Sequence, residues 1–572
     1  MSALHKPIAD ALREELNAYD DITAALLARR GVTSAQEADT FLNPSYDEHT
    51  HDPMLMLNMP EASQRLSRAI DENEYIAVWS DYDADGIPGG VILHDFLKKV
   101  GAHFTNYIPH RHLEGYGVNT SGVKKLSDEG VSLLITVDSG ITDVEAIALA
   151  KELGMDVIVT DHHEPGDVLP DAFVIVDPKQ SGETYPFREL CGAGLAWKLV
   201  VATLAHGFAG RENIPEGWEK WLLDMVGFAT IADMVSLTGE NRVLARYGLT
   251  VLHKSPRKGI GALCGVARVR QQTLCEDDIA FSLAPRINAA SRMGTGMDAF
   301  ELLATDDDVQ AQELAKKLEA ANRSRRSASG AITRAVRAKL GGGESYTPPE
   351  VIVVGDCDWS PALLGLVASS VAKEYERPVF LWGKEADGTL KGSCRSEGIT
   401  PVLSIMDATI DTFVRFGGHA MAGAFTVRSD AIVSLSDKIL RAYRLCMTEP
   451  ISALCEAQRA DGRLTAQDVT QTLLEDLAPF SPFGEGNPKP AWLFHETAVK
   501  AIKKFGKNNE HMKLTLSRNG TPLEAVAFFV AGELRSQLEK LTPPSNITFL
   551  AHVEMDTFLY RNTPRLRIIS IG

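Results

Sequence analysis

The sequence predicts a multidomain α/β protein, and three observations carry that prediction. The chain has 572 residues, far more than the roughly 250 at which single domains usually stop growing, so we expect three or four domains. From Glu74 onward, short apolar strands alternate with helical stretches, the pattern of a parallel sheet covered by helices on both faces. Residues 455–572 change to short strand-like segments, which are typical of a small β-barrel.

The same patterns predict an order of domains. Residues 1–50 read as short helices without recognisable chemistry, and residues 51–305 hold the first sheet. Residues 306–340 are polar helix formers and predict a connecting helix with the basic cluster Arg323, Arg325 and Arg326. Two interpretations of this cluster remain possible: a solvated helix between domains, or a helix that contacts DNA. A second α/β domain is expected over residues 345–450 and an OB-like barrel over residues 455–572.

Composition indicates a globular protein of the cytoplasm. Hydrophobic residues make up 44% of the chain and charged residues 23%, which excludes disordered and fibrous classes. The start has no basic flank before an apolar core, and no apolar run approaches the ~20 residues of a membrane span, so we expect neither signal peptide nor membrane. The seven cysteines are scattered without the spacing of a zinc or redox site, which favours a reducing compartment.

The net charge of −18, taken alone, argues against a nucleic-acid partner, because clustered Lys and Arg drive phosphate binding. Carboxylates that hold cations nevertheless count as negative in such a sum although the bound metals would neutralise them. Charge by region is therefore more informative. In residues 501–572 the basic residues outweigh the acids by four, as expected for a barrel that binds single-stranded DNA, although a solvated barrel face stays open. The basic residues are Lys503, Lys504, Lys507, Lys513, Arg518, Arg535, Lys540, Arg561, Arg565 and Arg567, and the acids are Glu510, Glu524, Glu533, Glu539, Glu554 and Asp556.

The densest chemical signal is the DYDADG segment that directly follows an apolar strand. Its carboxylates Asp81, Asp83 and Asp85 stand on alternate residues, so in an extended chain they share one face. Such crowding of like charges is costly unless a cation lies among them. An EF-hand calcium loop is excluded because the twelfth position is Ile92 instead of Glu, and a strand instead of a helix precedes the motif. A solvated acidic turn is the remaining alternative.

Two further strands end in groups that can bind metals. Asp138 follows the strand LLITV, and Asp161, His162 and His163 follow the strand DVIVT. Because ligands of open α/β sheets bind at the carboxyl ends of strands, these residues and the DYDADG segment predict one shared site. Asp233, in an apolar segment, needs a partner if buried, although a helix cap would also explain it. This donor set suits Mn²⁺ or Mg²⁺, and two such ions ~3.5–4 Å apart can activate water for attack on a phosphate ester.

These four motifs together resemble those of the DHH phosphoesterase superfamily. The resemblance implies that Asp83, Asp85, Asp138, His162 and Asp233 are metal ligands, that Asp81 adjoins the site, and that His163 faces the scissile phosphate. We therefore assign catalytic roles to Asp83, Asp85, Asp138, Asp161, His162 and His163. The predicted metal ligands are Asp81, Asp83, Asp85, Asp138, His162 and Asp233.

Other segments are similar, in order, to the RecJ family of that superfamily. They are GYG at 115–117, PRINAA at 285–290, KGSCRS at 391–396, FGGHA at 416–420 and PFGEGNP at 482–488. This resemblance covers nearly all of the chain after residue 50 and implies a DHH domain, a linking helix, a DHH-associated domain and an OB-like barrel. The substrate-binding residues it suggests are Arg286, Asn288, Ser393, Arg395, Ser396, Gly417, Gly418 and His419. A guanidinium between hydroxyls suits phosphate, and paired glycines allow close backbone approach, although a glycine pair alone would indicate only a turn.

The family resemblance implies an exonuclease on single-stranded DNA, 5′-to-3′, that serves DNA repair and recombination. Its partners would include a single-strand-binding protein or a helicase. Two alternatives stay open: a DHH phosphodiesterase of short oligonucleotides or cyclic dinucleotides, which would generally lack the barrel, and a non-catalytic replication scaffold, which would be expected to lose metal ligands. The chain departs from the family pattern at Ile87-Pro88-Gly89, Ser291 and Ser360. Separately, we interpret the glycine-containing residues 191–196 as part of a packed helix.

Overall fold

The computed structural model describes residues 8–341, 348–385, 387–397, 400–446, 460–506, 509–518, 520–530, 532–556 and 563–572. The expected break after Gly341, and also Cys455, Lys507 and Arg561, lie largely or wholly outside these ranges. The chain divides into two compact units, each taken here by itself. The first comprises Ile8–Asn322 and Glu475–Lys489, and the second contains Arg323–Leu474 and Pro490–Gly572.

The first unit is built on a five-stranded parallel sheet, as the sequence predicts. Its strands are β1 (Ile76–Ser80), β2 (Phe104–Tyr107), β3 (Leu133–Val137), β4 (Asp156–Thr160) and β5 (Val174–Val176), in the order β2-β1-β3-β4-β5. The register aligns Ser80 with Val137, and Val137 with Thr160. The carboxyl ends of β1, β3 and β4 therefore lie at the same level of the sheet.

Helices cover both faces of this sheet, which explains why β1 and β3 are buried at every residue. Alternate side chains point to opposite faces: Ile76 and Val78 enter one core cluster, and Ala77 and Trp79 enter another. The helices of this unit are Asp10–Glu15, Asp21–Arg29, Ala35–Leu42, Tyr46–His49, Met59–Asp71, Gly86–Val100, Thr120–Asp128, Val144–Glu152, Gly192–His206, Leu223–Ala232, Gly239–Leu252, Lys258–Ala267, Ala284–Met293 and Met297–Ala304.

The segment Glu475–Lys489 folds as part of the first unit. Its Asn487 is fully buried and donates to the carbonyl oxygens of Phe480 and Pro482, each at 2.8 Å. The side-chain oxygen of Asn487 accepts a hydrogen bond from Arg30 in an N-terminal helix, and Arg242 donates to the Phe480 carbonyl at 3.0 Å. Short polar contacts thus attach this segment to helices distant in sequence.

A mixed sheet forms the first half of the second unit. Its strands are β6 (Ile352–Gly355), β7 (Val379–Lys384), β8 (Leu390–Arg395), β9 (Phe413–His419) and β10 (Ala422–Val427), in the order β6-β7-β8-β10-β9. Only the β6–β7 pair is parallel. Helices Pro361–Tyr375, Val402–Asp407 and Leu435–Cys446 pack on it. The predicted connecting helix is a single helix, Asp308–Leu340, and the division between the units falls within it.

A closed barrel forms the second half of this unit, which confirms the OB-like prediction. Its strands are β11 (Gly462–Arg463), β12 (Trp492–Phe505), β13 (His511–Arg518), β14 (Thr521–Ala527), β15 (Ser545–Asp556) and β16 (Thr563–Ile571). The order is β11-β12-β13-β14-β16-β15, and pairing of β12 with β15 closes the barrel. Phe494 and Phe549 stack inside it with ring centroids 5.1 Å apart. The helices Gln471–Leu477 and Gly532–Lys540 are near it in sequence.

Several basic side chains of the barrel are engaged by acids of the same barrel. Lys513 contacts Glu524 at 2.8 Å, and Arg565 contacts both Glu554 and Asp556 at 2.7 Å. The local positive charge predicted for this region is therefore partly neutralised by internal pairing. In the described ranges, no helix combines the length and the apolar character that a membrane crossing requires.

Candidate metal centre

Three carboxylates stand side by side where strands of the first sheet end. Asp81, Asp138 and Asp161 directly follow β1, β3 and β4. Their main chains continue the ladder by one residue, because each amide donates to the neighbouring strand: Asp81 to Val137 at 3.2 Å, and Asp138 to Thr160 at 3.0 Å. The predicted convergence of these strand ends is thus what the structure shows.

The loop between β1 and the next helix turns back on itself through Asp83. The Oδ1 atom of Asp83 accepts hydrogen bonds from the amides of Asp85 at 2.8 Å and Gly86 at 3.1 Å. A Cβ atom on Gly86 would lie 2.6 Å from the carbonyl oxygen of Asp81, so a side chain there would push the loop apart. The helix Gly86–Val100 begins directly after this loop and holds Pro88 in its first turn.

Asp85 is mounted on the start of another helix. Its two oxygens accept from the amides of Gly192 at 2.6 Å and Ala193 at 2.8 Å, the first residues of Gly192–His206. Residues 191–196 do pack in the core, as interpreted, but their binding of Asp85 was missed. The available signal was a helix start whose cap residue, Cys191, does not cap the helix amides with its side chain.

Asp138 adopts a left-handed backbone conformation, with φ of 60°. The hydroxyl of Tyr116, from the GYG segment, donates to its carbonyl oxygen at 3.1 Å. A Cβ atom on Gly192 would lie 2.5 Å from the Cβ atom of Asp138. Glycine at 192 therefore lets the helix approach the strand end that carries Asp138 closely.

The imidazole of His162 lies among these carboxylates. Its Nε2 atom is 3.0 Å from Oδ1 of Asp138, 3.6 Å from Oδ2 of Asp85 and 3.8 Å from Oδ2 of Asp233. Asp233 directly follows the helix Leu223–Ala232. These side chains form three overlapping groups, and within each group the donor atoms lie within 4.8 Å of one another. The groups are Asp81 with Asp83 and Asp138, Asp85 with His162 and Asp233, and Asp138 with His162 and His163.

The electrostatics of this cluster fit a cation. Burial and then the neighbouring carboxylates raise the pKa of Asp81, Asp138 and Asp233 well above the usual value, and raise the pKa of Asp85 to about 6. Among the described residues, the buried Oδ1 atoms of Asp81 and Asp138 accept no hydrogen bond, and the Nε2 atom of His162, 3.0 Å from the Asp138 oxygen, makes only an ion-pair contact there. Buried carboxylate oxygens normally have partners. Oxygens left unpaired in a crowded anionic cluster are what a divalent cation requires.

Asp161 has a different environment. Its carboxylate accepts hydrogen bonds from the amides of Ile141, His162 and His163, and it lies 2.7 Å from Nδ1 of His163. Burial would raise its pKa, but the contacts with His163, the Ile141 amide and His162 together lower it. Conversely, burial opposes and the Asp161 contact raises the pKa of His163 to about 9. Asp161 belongs to none of the ligand groups found among the described residues, and its hydrogen bonds orient His163.

Arg286 and Asn288, predicted to bind substrate, have partners within the unit. The guanidinium of Arg286 contacts Glu319 at 2.9 and 2.8 Å and the carbonyl oxygen of Ser282 at 2.5 Å. Asn288 accepts from the amide of Ala84 at 2.9 Å, which braces the loop between Asp83 and Asp85. These contacts support the shape of the site.

The other predicted substrate residues meet at one end of the second unit's mixed sheet. Strand β10 pairs Ala422 with Arg395 on one side and with His419 on the other. Arg395 is largely buried and donates to the carbonyl oxygens of Cys394 at 2.7 Å and Gly423 at 3.3 Å. Burial lowers the pKa of Arg395.

Small and polar groups surround this arginine. The hydroxyl of Ser396 is buried and has no hydrogen-bond partner among the described residues. A Cβ atom on Gly365 would lie 3.0 Å from Arg395 Nη2 and 3.5 Å from the Ser393 hydroxyl. Gly418 has a φ of 140°, and a Cβ atom there would lie 2.3 Å from the Ala422 carbonyl oxygen, whereas Gly417 faces open space. Only Gly417 is thus free to serve the close approach predicted for this glycine pair.

Comparison with known proteins agrees with this architecture. Residues 75–230 match the DHH family, N-terminal domain, residues 349–445 the DHHA1 domain, and residues 460–570 the RecJ OB domain. The chain is 35% identical over 560 residues to the single-stranded-DNA-specific exonuclease RecJ of Bacillus subtilis (strain 168), covering 98% of this chain and 68% of that protein. The chain belongs to the RecJ family.

Two solved structures of RecJ proteins are similar to this chain. The crystal structure of RecJ in complex with Mn²⁺ from Thermus thermophilus matches with a TM-score of 0.79 and 26% identity, covering 100% of this chain and 78% of that chain. An exonuclease RecJ bound to manganese matches with a TM-score of 0.58 and 32% identity over 69% of this chain and 96% of that chain. Both crystal structures contain manganese, an ion that the donor atoms described above suit.

Proposed function

We propose that this protein is a metal-dependent exonuclease that hydrolyses phosphodiester bonds of single-stranded DNA, in the 5′-to-3′ direction, in the cytoplasm. The observation that carries the proposal is the strand-end cluster, in which the Oδ1 atoms of Asp81 and Asp138 accept no hydrogen bond from the described residues, in a chain of the RecJ family. DNA repair and recombination are the processes it would serve. A single-strand-binding protein or a helicase would be its protein partner.

Six residues would hold Mn²⁺ or Mg²⁺, in our proposal as two ions: Asp81, Asp83, Asp85, Asp138, His162 and Asp233. When bound, such ions lower the pKa of a water molecule and stabilise charge on the phosphate. The chain supplies the rigid mounting. Asp85 is held by two helix amides, and Asp138 is held by Tyr116 through its carbonyl oxygen. The ligands are therefore oriented before the substrate arrives.

His163 would bind the scissile phosphate. Asp161 lies against its Nδ1 atom, and its Nε2 atom, 3.5 Å from the Tyr116 hydroxyl, would donate to a phosphate oxygen. The raised pKa of His163 favours the protonated imidazole, which strengthens that hydrogen bond. Asp161 is in this scheme a positioning residue.

Ser393, Arg395, Ser396, Gly417 and His419 would bind a phosphate of the strand. The buried, unpartnered Ser396 hydroxyl and the Arg395 fork support this, whereas Gly418 serves the β9–β10 pairing. Arg286 and Asn288, proposed from the family resemblance, would act through the loop and helix contacts described above.

Replacing Arg395 by Lys is expected to lower kcat/KM on single-stranded DNA about ten- to a hundred-fold although the charge is kept, because an ammonium lacks the planar fork that binds phosphate through two hydrogen bonds. The measurement is steady-state hydrolysis with Mn²⁺. Arg415→Lys, an exposed change on β9 of the same sheet, is the matched control. Parental activity in Arg395→Lys would show that Arg395 only supports the sheet.

Ending the chain at Lys489 is expected to weaken binding of long single strands far more than it slows cleavage of very short oligonucleotides. The barrel would stack bases away from the metal centre, at ~1–3 kcal/mol per base. The cut belongs after Lys489 because Glu475–Lys489 folds with the first unit. Affinity by fluorescence anisotropy and cleavage of a short oligonucleotide are compared, and equal losses on both would contradict the proposed role of the barrel.

One experiment tests the function as a whole. Single-stranded DNA labelled at either the 5′ or the 3′ end is digested with Mn²⁺ and, separately, with Mg²⁺, beside a duplex of the same sequence. The expected result is immediate release of the 5′ label as short product, late release of the 3′ label, and an intact duplex. The barrel favours this activity over a phosphodiesterase of short substrates, and the presence of all six ligands favours it over a scaffold.

A further inference from the structure

A fourth strand of the first sheet also ends beside the metal centre, and its turn carries a lysine. Strand β5 is followed by Asp177, Pro178, Lys179 and Gln180. The amide of Asp161 donates to the carbonyl oxygen of Val176 at 3.2 Å, so this turn begins directly alongside the strand end that supplies Asp161, His162 and His163.

The turn is rigid. The amide of Gln180 donates to the carbonyl oxygen of Asp177 at 3.2 Å, and Pro178 occupies the second position, as in many β-turns. The Asp177 carboxylate accepts from the amide of Lys179 at 2.7 Å, and the Gln180 side chain donates to Ile175 at 3.2 Å. Asp177, Pro178 and Gln180 are buried, whereas Lys179 is partly exposed. The fold thus presents one lysine from a fixed mount.

The ammonium of Lys179 lies beside the segment that carries His163. Its Nζ atom is 3.4 Å from Oε1 of Glu164, the residue that directly follows His163. The Lys179 side chain is 20% exposed and that of Glu164 is 67% exposed. Burial and the charges of Asp85 and Asp83 raise the pKa of Asp233. The charges of His163 and Lys179 act in the opposite direction and lower it. Lys179 is therefore close enough to influence a predicted metal ligand.

We propose that Lys179 binds a phosphate oxygen of the substrate strand and that Glu164 holds the ammonium in position until the phosphate displaces it. This inference rests on the proposed nuclease function. A loose ion pair at 3.4 Å with an exposed carboxylate contributes little to stability, so exchanging Glu164 for phosphate costs little. Lys179 is thus a further residue for substrate binding, which the family motifs did not indicate.

Two substitutions should have opposite effects. Lys179→Gln is expected to raise KM for single-stranded DNA about ten-fold with kcat nearly unchanged, since it removes one charge-assisted hydrogen bond from binding. Plotted as log(1/KM) against log[KCl], its slope should be shallower by about 0.7, the share of one phosphate contact on a single strand. Lys179→Arg should keep most of the parental KM and slope. Glu164→Gln should lower KM about two- to five-fold, because the competing carboxylate is gone.

The test is steady-state hydrolysis of single-stranded DNA by the full chain with Mn²⁺ over a series of KCl concentrations. Lys151→Gln is the matched control, because Lys151 forms a similar exposed pair with Asp171 at 2.6 Å near the opposite ends of the strands. A Lys179→Gln protein with the KM and salt slope of Lys151→Gln would overturn the inference, as would a Glu164→Gln protein whose KM rises. If the parent did not hydrolyse single-stranded DNA, the proposed function itself would fail, so the two failures are distinguishable.

Discussion

Replacing Asp138 by Asn is expected to lower the rate of single-stranded DNA hydrolysis by several orders of magnitude while DNA affinity changes little. Asp138 contributes to two of the three donor groups, and its buried Oδ1 atom accepts no hydrogen bond from the part of the chain that the structure describes. Removing its charge takes a central ligand from the cation, so metal occupancy and the activated water are lost together. Asn tolerates the left-handed conformation at φ 60° better than Ala does, which separates chemistry from backbone strain.

The measurement pairs hydrolysis with binding. Hydrolysis is followed with end-labelled DNA and binding by anisotropy, at the same Mn²⁺ concentration. Asp128→Asn, an exposed change in the same unit, is the control for handling and folding. A folded Asp138→Asn protein that degrades DNA at the parental rate would show that the metal centre is wrongly assigned. A parent without metal-dependent hydrolysis would favour the scaffold alternative.

Replacing Asp161 by Asn is expected to lower kcat about ten- to a hundred-fold, the usual loss when a group that orients metal-site residues is removed. In the parent, four donors face the Asp161 carboxylate. The Asn side chain keeps the shape of that carboxylate, but its NH₂ group would face at least one of these donors and could not accept its hydrogen bond. His163 would lose its fixed orientation, and the Mn²⁺ concentration for half-maximal activity should rise because His162 is attached to the same turn.

A double substitution separates positioning from other roles of Asp161. If Asp161 acts through His163, then Asp161→Asn combined with His163→Gln should be no slower than His163→Gln alone, because the two changes remove one interaction. The measured quantity is kcat at saturating Mn²⁺ for the parent, both single variants and the double variant. Fully additive losses would contradict the positioning role and favour a separate contribution of Asp161 to the reaction.

The parts of the site that lie at strand ends could be predicted from the sequence. Asp81, Asp138 and Asp161 each follow an apolar strand, and parallel strands of one sheet bring their carboxyl ends together. Sheet, connecting helix and barrel followed in the same way, since hydrophobic periodicity is a local property that a single sequence displays. The alternate spacing of Asp81, Asp83 and Asp85 predicted one face of an extended chain, which is wrong, because residues 82–85 form bends and turns.

Contacts between distant residues could not be predicted. Asn288 braces Ala84 across 204 positions, and Asp85 meets Gly192 across 107. No local pattern encodes such pairs, because they depend on how helices pack on the finished sheet. For the same reason the sequence does not show that Arg286 forms an ion pair with Glu319 in the fold. Lys179 carries no motif and becomes noticeable only from the turn that presents it.

The contact between Asp85 and the first amides of Gly192–His206 influences which kind of ligand this end of the sheet can bind. In many α/β proteins the exposed amides at a helix start grip the phosphate of a nucleotide directly. Here the protein's own carboxylate already occupies those donors. An incoming phosphate would therefore be bound by side chains and by cations that the carboxylates hold. In our proposal the carboxyl ends of these strands bind positive ions, where related folds bind anions.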